Sequence, residues 1–259
     1  MIIDPTKEIR IYTKNCIDSD GTIASSHGGT TSYLCDRDNG LLWESSGARR
    51  DALPVTLTIT FKVNGTETEF EINTLGLLNA NIRALKAEYW NGAAYVDLFS
   101  NEEQDGIDFT YFGEVTTSRI RLTLTKTVLP NREKQIGEII IARLRYILES
   151  GATSYDLIYR DKRASYQFGN GAQGIAYTRA LASRINRYGA RVSFEMIPRT
   201  DYEKLLSLKD EGEPFLFQPE AVSSPEDIFL VNWTSAFAAK YSTLYKGNGY
   251  DLTMEVSEV

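Results

Sequence analysis

Val55-Thr56-Leu57-Thr58-Ile59-Thr60-Phe61 carries an apolar side chain at every second position, and Arg119-Ile120-Arg121-Leu122-Thr123-Leu124-Thr125 repeats the pattern. A period of two gathers the apolar groups of a segment on one side of a strand, whereas a helix would scatter them around its axis. A chain built from such segments must bury one face of a sheet and leave the other in water, which points to packed antiparallel β-structure. Asn64-Gly65 follows the first segment and is a strong hairpin-turn signal, after which Glu67 to Ile72 alternates again. Ile136 to Ile147 reads as one long apolar strand region closing a first domain. The small, polar run from Glu149 to Ser154 marks the boundary. A length of 259 residues suits two domains, placed at 1–149 and 150–259.

The second domain is also mainly β, with strands expected at Phe215-Leu216-Phe217, Ile228 to Trp233 and Tyr250 to Val256. One short helix is expected where Thr200-Asp201-Tyr202-Glu203 forms a capping box, stopped by Gly212 and Pro214. Charge is uneven within this half. The chain totals −7, yet residues 160–199 hold eight basic and two acidic side chains. Two readings fit that stretch: the solvated face of a long hairpin, or a basic arm docking on the acidic surface of a neighbouring copy. In the second reading Arg179, Arg184, Arg187 and Arg191 are the candidate oligomer-interface residues, because Arg suits interfaces better than Lys.

The same inventory weighs against several kinds of chemistry. An acidic chain is a poor partner for nucleic acid, which is bound through Lys and Arg. One His and two Cys leave little material for a transition-metal site or a Ser/His or Cys/His nucleophile, and His27 beside Gly28-Gly29 reads as a loop residue. Cys16 and Cys35 read as buried thiols rather than a disulfide framework. Met1-Ile2-Ile3-Asp4-Pro5 lacks the features of a signal peptide, and no run of about 18 apolar residues is present to cross a membrane as a helix. Gly169 to Gly174 is glycine-rich but does not sit between a strand and a helix, and Glu102-Glu103 lies in a polar run. The expectation is a protein that is not an enzyme. Asp36-Arg37-Asp38-Asn39-Gly40 could be a turn or could supply hard oxygen ligands to calcium. Tyr89 and Trp90, at a strand end before Asn91-Gly92, could be core aromatics or an exposed platform for a sugar ring.

Taken in order, Asp36-x-Asp38 leading to Trp43, Ile72 to Asn81, Tyr89-Trp90-Asn91-Gly92, Arg119-Ile120-Arg121-Leu122 and Ile136-Gly137-Glu138-Ile139 resemble the discoidin, or coagulation factor 5/8 C-type, family over about residues 8–148. The resemblance implies an N-terminal galactose-binding-like jelly-roll sandwich. It also implies a structural calcium ion held by Asp36, Asp38 and Glu138, although Leu41 stands where such members place a Thr ligand; no other cofactor is expected. Residues 155–259 resemble bacteriophage distal-tail, baseplate and minor tail proteins, through Pro214 to Pro219, Ile228 to Trp233 and the terminal Tyr250 to Val259. That resemblance implies a C-terminal β-sandwich or barrel with a long hairpin and one helix, interlocking into a homo-oligomeric ring with neighbouring tail proteins.

Two functions are therefore expected. The first is a structural virion protein of a phage or prophage tail tip, assembled in the host cytoplasm, whose outward domain meets a host-surface glycan. The alternative is a non-catalytic carbohydrate-binding module of an adhesin or carbohydrate-active complex. Neither involves nucleic acid or membrane insertion.

Overall fold

The computed structural model describes residues 8–148 apart from 18–19, 37–40 and 102–108. Beyond them it describes 154–157, 160–161, 164–167, 173–176, 186–187, 189–219, 221, 227–242 and 249–258. The chain is mainly β, as the alternation requires, with one α-helix among the described residues.

Residues 12–145 form a compact unit of their own. One antiparallel sheet runs in the order Thr22–Ser25, Val55–Thr60, Arg119–Thr127, Ile82–Trp90, Tyr95–Asn101. A second runs Phe109–Thr117, Phe70–Leu78, Glu138–Ala142. Apart from the hairpin Ile82–Trp90/Tyr95–Asn101, adjacent strands come from distant parts of the sequence, the connectivity of a jelly-roll sandwich. The inward residues of the alternating segments meet between the sheets: Leu57, Ile59, Ile120 and Leu122 from the first, Ile72, Leu77, Ile139 and Ile141 from the second. Arg121 and Thr123 of the same alternation remain on the outer face, partly exposed.

Trp43 belongs to this core, fully buried, and its indole N–H donates to the carbonyl of Gly28 at 3.0 Å. Gly29 sits at φ +85°, and a Cβ there would lie 2.3 Å from Trp43 Nε1. The His27-Gly28-Gly29 loop is thus the seat of a core tryptophan, and His27 Nδ1 shares a hydrogen bond with the neighbouring Ser26 hydroxyl at 2.8 Å. Cys16 is buried as expected, whereas Cys35 is partly exposed, and neither is in a disulfide.

The region Ile136 to Ile147 is three short strands rather than one: Gln135–Ile136, Glu138–Ala142 and Leu144–Leu148. The middle piece closes the three-stranded sheet, while the last joins an eight-stranded sheet built around the C-terminal half. The strand Ile9–Tyr12 lies in that same larger sheet, between Leu144–Leu148 and Phe215–Gln218. Contacts accordingly divide the chain near 11/12 and 145/146, where the sequence suggested a single boundary at 149/150. Alternation identifies a strand without naming its partner, so nothing local assigns Ile9–Tyr12 to a sheet made mostly of residues beyond 145.

The larger sheet continues through Phe229–Trp233, Gly249–Glu258, Gly189–Ile197 and Ser154–Leu157. The expected long hairpin is visible as nested antiparallel pairs: Ser154 opposite Ser193, Arg160 opposite Arg187, and Ala164 opposite Ala176. The helix spans Arg199–Glu211 and buries Leu205 and Leu208. It does not use the Thr200 capping box. Pro198 is the N-cap, its carbonyl accepting from the amides of Asp201 and Tyr202, so Thr200 already lies inside the first turn. Glu203 bonds Arg199 instead, at 2.7 Å. Gly212, at φ +67°, ends the helix as its conformational freedom permits.

Candidate functional site

The outer face of the five-stranded sheet carries the most organised group of exposed polar and aromatic side chains in the sandwich. Its centre is the hairpin joining Ile82–Trp90 to Tyr95–Asn101. Asn91 closes the turn by accepting the amides of Ala93 and Ala94, both at 2.9 Å. That turn length sets Trp90 directly opposite Tyr95. Their rings meet edge to face, with centroids 5.3 Å apart and planes at 62°, a favoured aromatic geometry.

Arginines from the adjacent Arg119–Thr127 strand cover these rings. The Arg119 guanidinium lies 5.6 Å from the Trp90 ring centre and that of Arg121 lies 4.2 Å from the Tyr95 ring centre. Each arginine is held by a carboxylate. Arg121 donates to both oxygens of Glu88, at 2.7 and 2.9 Å, and Arg119 to both oxygens of Glu67, at 2.7 and 2.6 Å. Paired forks of this kind fix the plane and position of the guanidinium. Glu67 reaches Arg119 because Asn64 and Gly65, both at positive φ, turn the chain between Lys62–Val63 and Thr66–Glu67, as the Asn-Gly pair implied. Ser118 adds a 2.6 Å bond to Glu67. Lys86 sits between Glu88 and Asp97, at 3.1 and 2.6 Å.

The hydrogen bonds from Arg121 hold the Glu88 carboxyl below its ordinary range, and those from Arg119 do the same for Glu67. Lys86 is raised by Asp97 and then Glu88. These groups are locked in their charged states near neutral pH. A general acid would need a raised carboxyl pKa, so this arrangement suits binding and orientation rather than proton transfer.

Tyr89 and Trp90, nominated together from the sequence, do not converge. Successive strand residues point to opposite faces, and Trp90 takes Tyr95 as its partner instead. Tyr95 was not legible from Asn91-Gly92, because a two-residue turn there would set Ala93 opposite Trp90, whereas the loop spans residues 91–94 and brings Tyr95 there. Asp36 ends the 3-10 turn Thr31–Cys35, which packs on the strand Glu138–Ala142. Asp38 lies outside the described residues, and among those described no three acidic, His or Cys side chains form a metal cluster. Of the interface candidates, Arg179 and Arg184 also lie outside the described residues, as do Glu102 and Glu103. Arg187 is in the strand Asn186–Arg187. Arg191 is bonded to Glu255, directly opposite it in the sheet, at 2.9 and 2.5 Å.

One further network escaped the sequence. Lys134 is fully buried, and its ammonium donates to the carbonyls of Ala48, Arg50 and Leu53 at 2.6, 3.1 and 3.2 Å. Beside it Glu133 accepts from the Ser45 hydroxyl and the Ala48 amide. Burial works against the charge on Glu133, but these bonds outweigh it and hold the carboxyl below its ordinary range.

No protein-family model and no curated protein matches the chain. Solved structures do resemble it over about half its length. A carbohydrate-binding module of Clostridium perfringens, solved with GalNAc-β-1,3-galactose, aligns at 14% identity and a TM-score of 0.41, covering 49% of this chain and 99% of its own. The family 32 module of C. perfringens NanJ, solved with galactose, aligns at 14% identity and 0.42, covering 52% and 99%. A chitosan-binding module from a Paenibacillus chitosanase/glucanase aligns at 15% identity and 0.42, covering 50% and 98%.

Proposed function

We propose that residues 12–145 form a non-catalytic carbohydrate-binding module whose platform is the Trp90–Tyr95 pair. The observation that carries this reading is that two partly exposed rings are locked in place by Arg119–Glu67 and Arg121–Glu88 on a solvent-facing sheet. Aromatic rings offer an apolar face to the C–H groups of a pyranose, and fixed charged groups beside them can bond its hydroxyls. A rigid platform also loses little side-chain entropy when a ligand binds. The jelly-roll order of the strands and the sequence resemblance to the discoidin family point the same way.

The test is affinity electrophoresis and calorimetry of the whole chain against neutral galactans and chitosan fragments, with Trp90→Ala and Tyr95→Ala as variants. Binding should fall at least tenfold in Trp90→Ala while the melting temperature moves by only a few degrees. A well-folded wild-type protein that binds no neutral saccharide would sink the proposal.

The role of a ring-forming component of a phage tail rests on the sequence resemblance of residues 155–259 alone. The nested hairpin is compatible with a docking arm, but Arg191 already has an acidic partner within its own sheet.

A further inference from the structure

The chain contains five Asn-Gly pairs, and those at Asn64-Gly65 and Asn91-Gly92 lie wholly within the described residues. Both sit in exposed turns, and at neither glycine would a Cβ meet anything within 4 Å. Exposure and crowding therefore do not separate them. The commitment of the asparagine side chain does.

The Asn91 carboxamide is engaged. Its oxygen accepts the amides of Ala93 and Ala94, both at 2.9 Å, and its own N–H donates to the Ala94 carbonyl at 3.1 Å. Turning its Cγ onto the nitrogen of Gly92 would forfeit both side-chain bonds. The Asn64 carboxamide has no hydrogen bond among the described residues, and Asp20 holds only the backbone N–H of Asn64, at 2.8 Å. The strands that Asn64-Gly65 joins, Lys62–Val63 and Thr66–Glu67, are two residues long and largely exposed. A ladder this short is marginal by itself and opens locally at small cost. Opening frees Asn64 and Gly65 from the positive φ values, +51° and +77°, that close the turn.

From this contrast we propose that Asn64 is a site of spontaneous deamidation, and that the modification unfastens Glu67 from Arg119. The Gly65 nitrogen, having lost its proton to solvent, attacks Asn64 Cγ. A C–N bond forms, the Cγ–Nδ2 bond breaks, and the side-chain nitrogen leaves as ammonia with protons from water. One water then opens the resulting five-membered imide, at one carbonyl to aspartate and at the other to isoaspartate. Glycine is the residue that hinders this ring closure least, having no side chain beside the attacking nitrogen.

The consequence follows from register. An isoaspartyl link carries one extra main-chain atom, and hairpin register depends on the length of the turn. Lys62 opposite Glu67 and Val63 opposite Thr66 then no longer match. Thr68 donates to the Phe61 carbonyl at 3.1 Å and Phe61 to the Ser118 carbonyl at 2.9 Å, so the base of the hairpin is held and the mismatch falls on residues 62–67. Glu67 is the last of these, and it carries both bonds to Arg119. The new carboxylate also lies beside Asp20, which opposes the contact that anchors the turn. Arg119 thereby loses the partner that fixes it over Trp90. The inference holds whatever the Trp90–Tyr95 platform binds.

The experiment ages the whole chain in mildly alkaline buffer, digests it, and follows each Asn-Gly peptide by mass and by enzymatic methyl labelling of isoaspartate. Asn64 should deamidate at least tenfold faster than Asn91 in the folded protein, and at a similar rate in concentrated urea, where the fold no longer distinguishes them. Equal rates in the folded protein, or a preference for Asn64 that persists in urea, overturn the site. Near-ultraviolet circular dichroism reads the second step without any saccharide. Aged wild type should approach the spectrum of Glu67→Gln, and aged Glu67→Gln should change no further. Asn64→Gly, which retains a turn tolerant of positive φ but has no carboxamide, should not drift. Drift in Asn64→Gly, or an unchanged spectrum in wild type deamidated at Asn64, overturns the link to Glu67.

Discussion

The ammonium of Lys134 lies 2.6 Å from the carbonyl oxygen of Ala48, in a position with no solvent exposure. With Arg50 and Leu53 it forms a cage in which a side-chain cation satisfies three carbonyls that would otherwise face one another. Lys134→Met keeps most of the stem and removes the donor. Leaving buried acceptors unpaired costs about 1–3 kcal/mol each, less where water can enter, so a net loss of about 3 kcal/mol is expected in urea unfolding. A variant within about 0.5 kcal/mol of wild type would show that the cage adds nothing to stability.

Lys134 also predicts the sign of an alkaline effect. Burial holds its pKa below the ordinary lysine value, with Asp51 and Glu133 opposing only part of that shift. The unfolded chain therefore binds this proton more tightly than the folded one. The penalty is fully present below the folded pKa and is relieved as pH rises towards the ordinary value of about 10.4. Wild-type stability should rise relative to Lys134→Met across that window. A difference between the two that stays flat, or shrinks, refutes the assignment.

Glu88 gives the opposite case. The Arg121 fork lowers its pKa, so its contribution is complete above the ordinary glutamate value of about 4.3 and is lost as pH falls through the lowered folded value. Glu88→Gln should cost about 1–2 kcal/mol at neutral pH, the range for charge-assisted bonds to a group this well covered. The cost should vanish in acid. Chemical denaturation at pH 7 and at a series of values below about 4.3 follows the cost as it shrinks.

Two glycines separate backbone strain from steric conflict. Gly29 and Gly47 both lie at positive φ, +85° and +75°. A methyl group at Gly29 would meet Trp43 and the Glu44 carbonyl, at 2.3 and 2.5 Å, whereas one at Gly47 meets nothing within 4 Å. Gly47→Ala should cost about 1 kcal/mol, the conformational penalty alone. Gly29→Ala should cost about 2–4 kcal/mol, because the indole seated against it must shift within a packed core. Equal losses would mean that Trp43 relaxes freely.

These residues also show what the sequence made legible. The alternation around Leu57 and Leu122 reports burial directly, because the pleat itself has period two, and Asn64-Gly65 specifies its turn through backbone sterics. Both signals are local. Trp43 and Trp90 are alike as letters, and their fates diverge through distant chain: Trp43 is seated by Gly28 and Gly29, while Trp90 is kept at the surface beside Arg119. The Lys134 cage is built from carbonyls more than eighty residues earlier, and a carbonyl carries no side-chain signature. The Tyr89–Trp90 pairing came from adjacency, which in a strand separates side chains rather than uniting them.

Glu67 tests whether the platform is preorganised rather than merely present. Its two bonds to Arg119 and the bond from Ser118 fix the guanidinium that lies over Trp90. Arg119 and Glu67 are both partly open to solvent, so Glu67→Gln should change the melting temperature little. Its effect should fall on order. Gln can accept from Arg119 at one oxygen but cannot offer two, and Arg119 then samples positions away from the ring. Saccharide affinity should drop about three- to tenfold while the stoichiometry is unchanged, the signature of a site that must be ordered on binding rather than one destroyed. Near-ultraviolet circular dichroism provides a readout free of ligand, because the Trp90 band should weaken in the variant. An unchanged band together with wild-type affinity would show that Arg119 holds its place over Trp90 without Glu67.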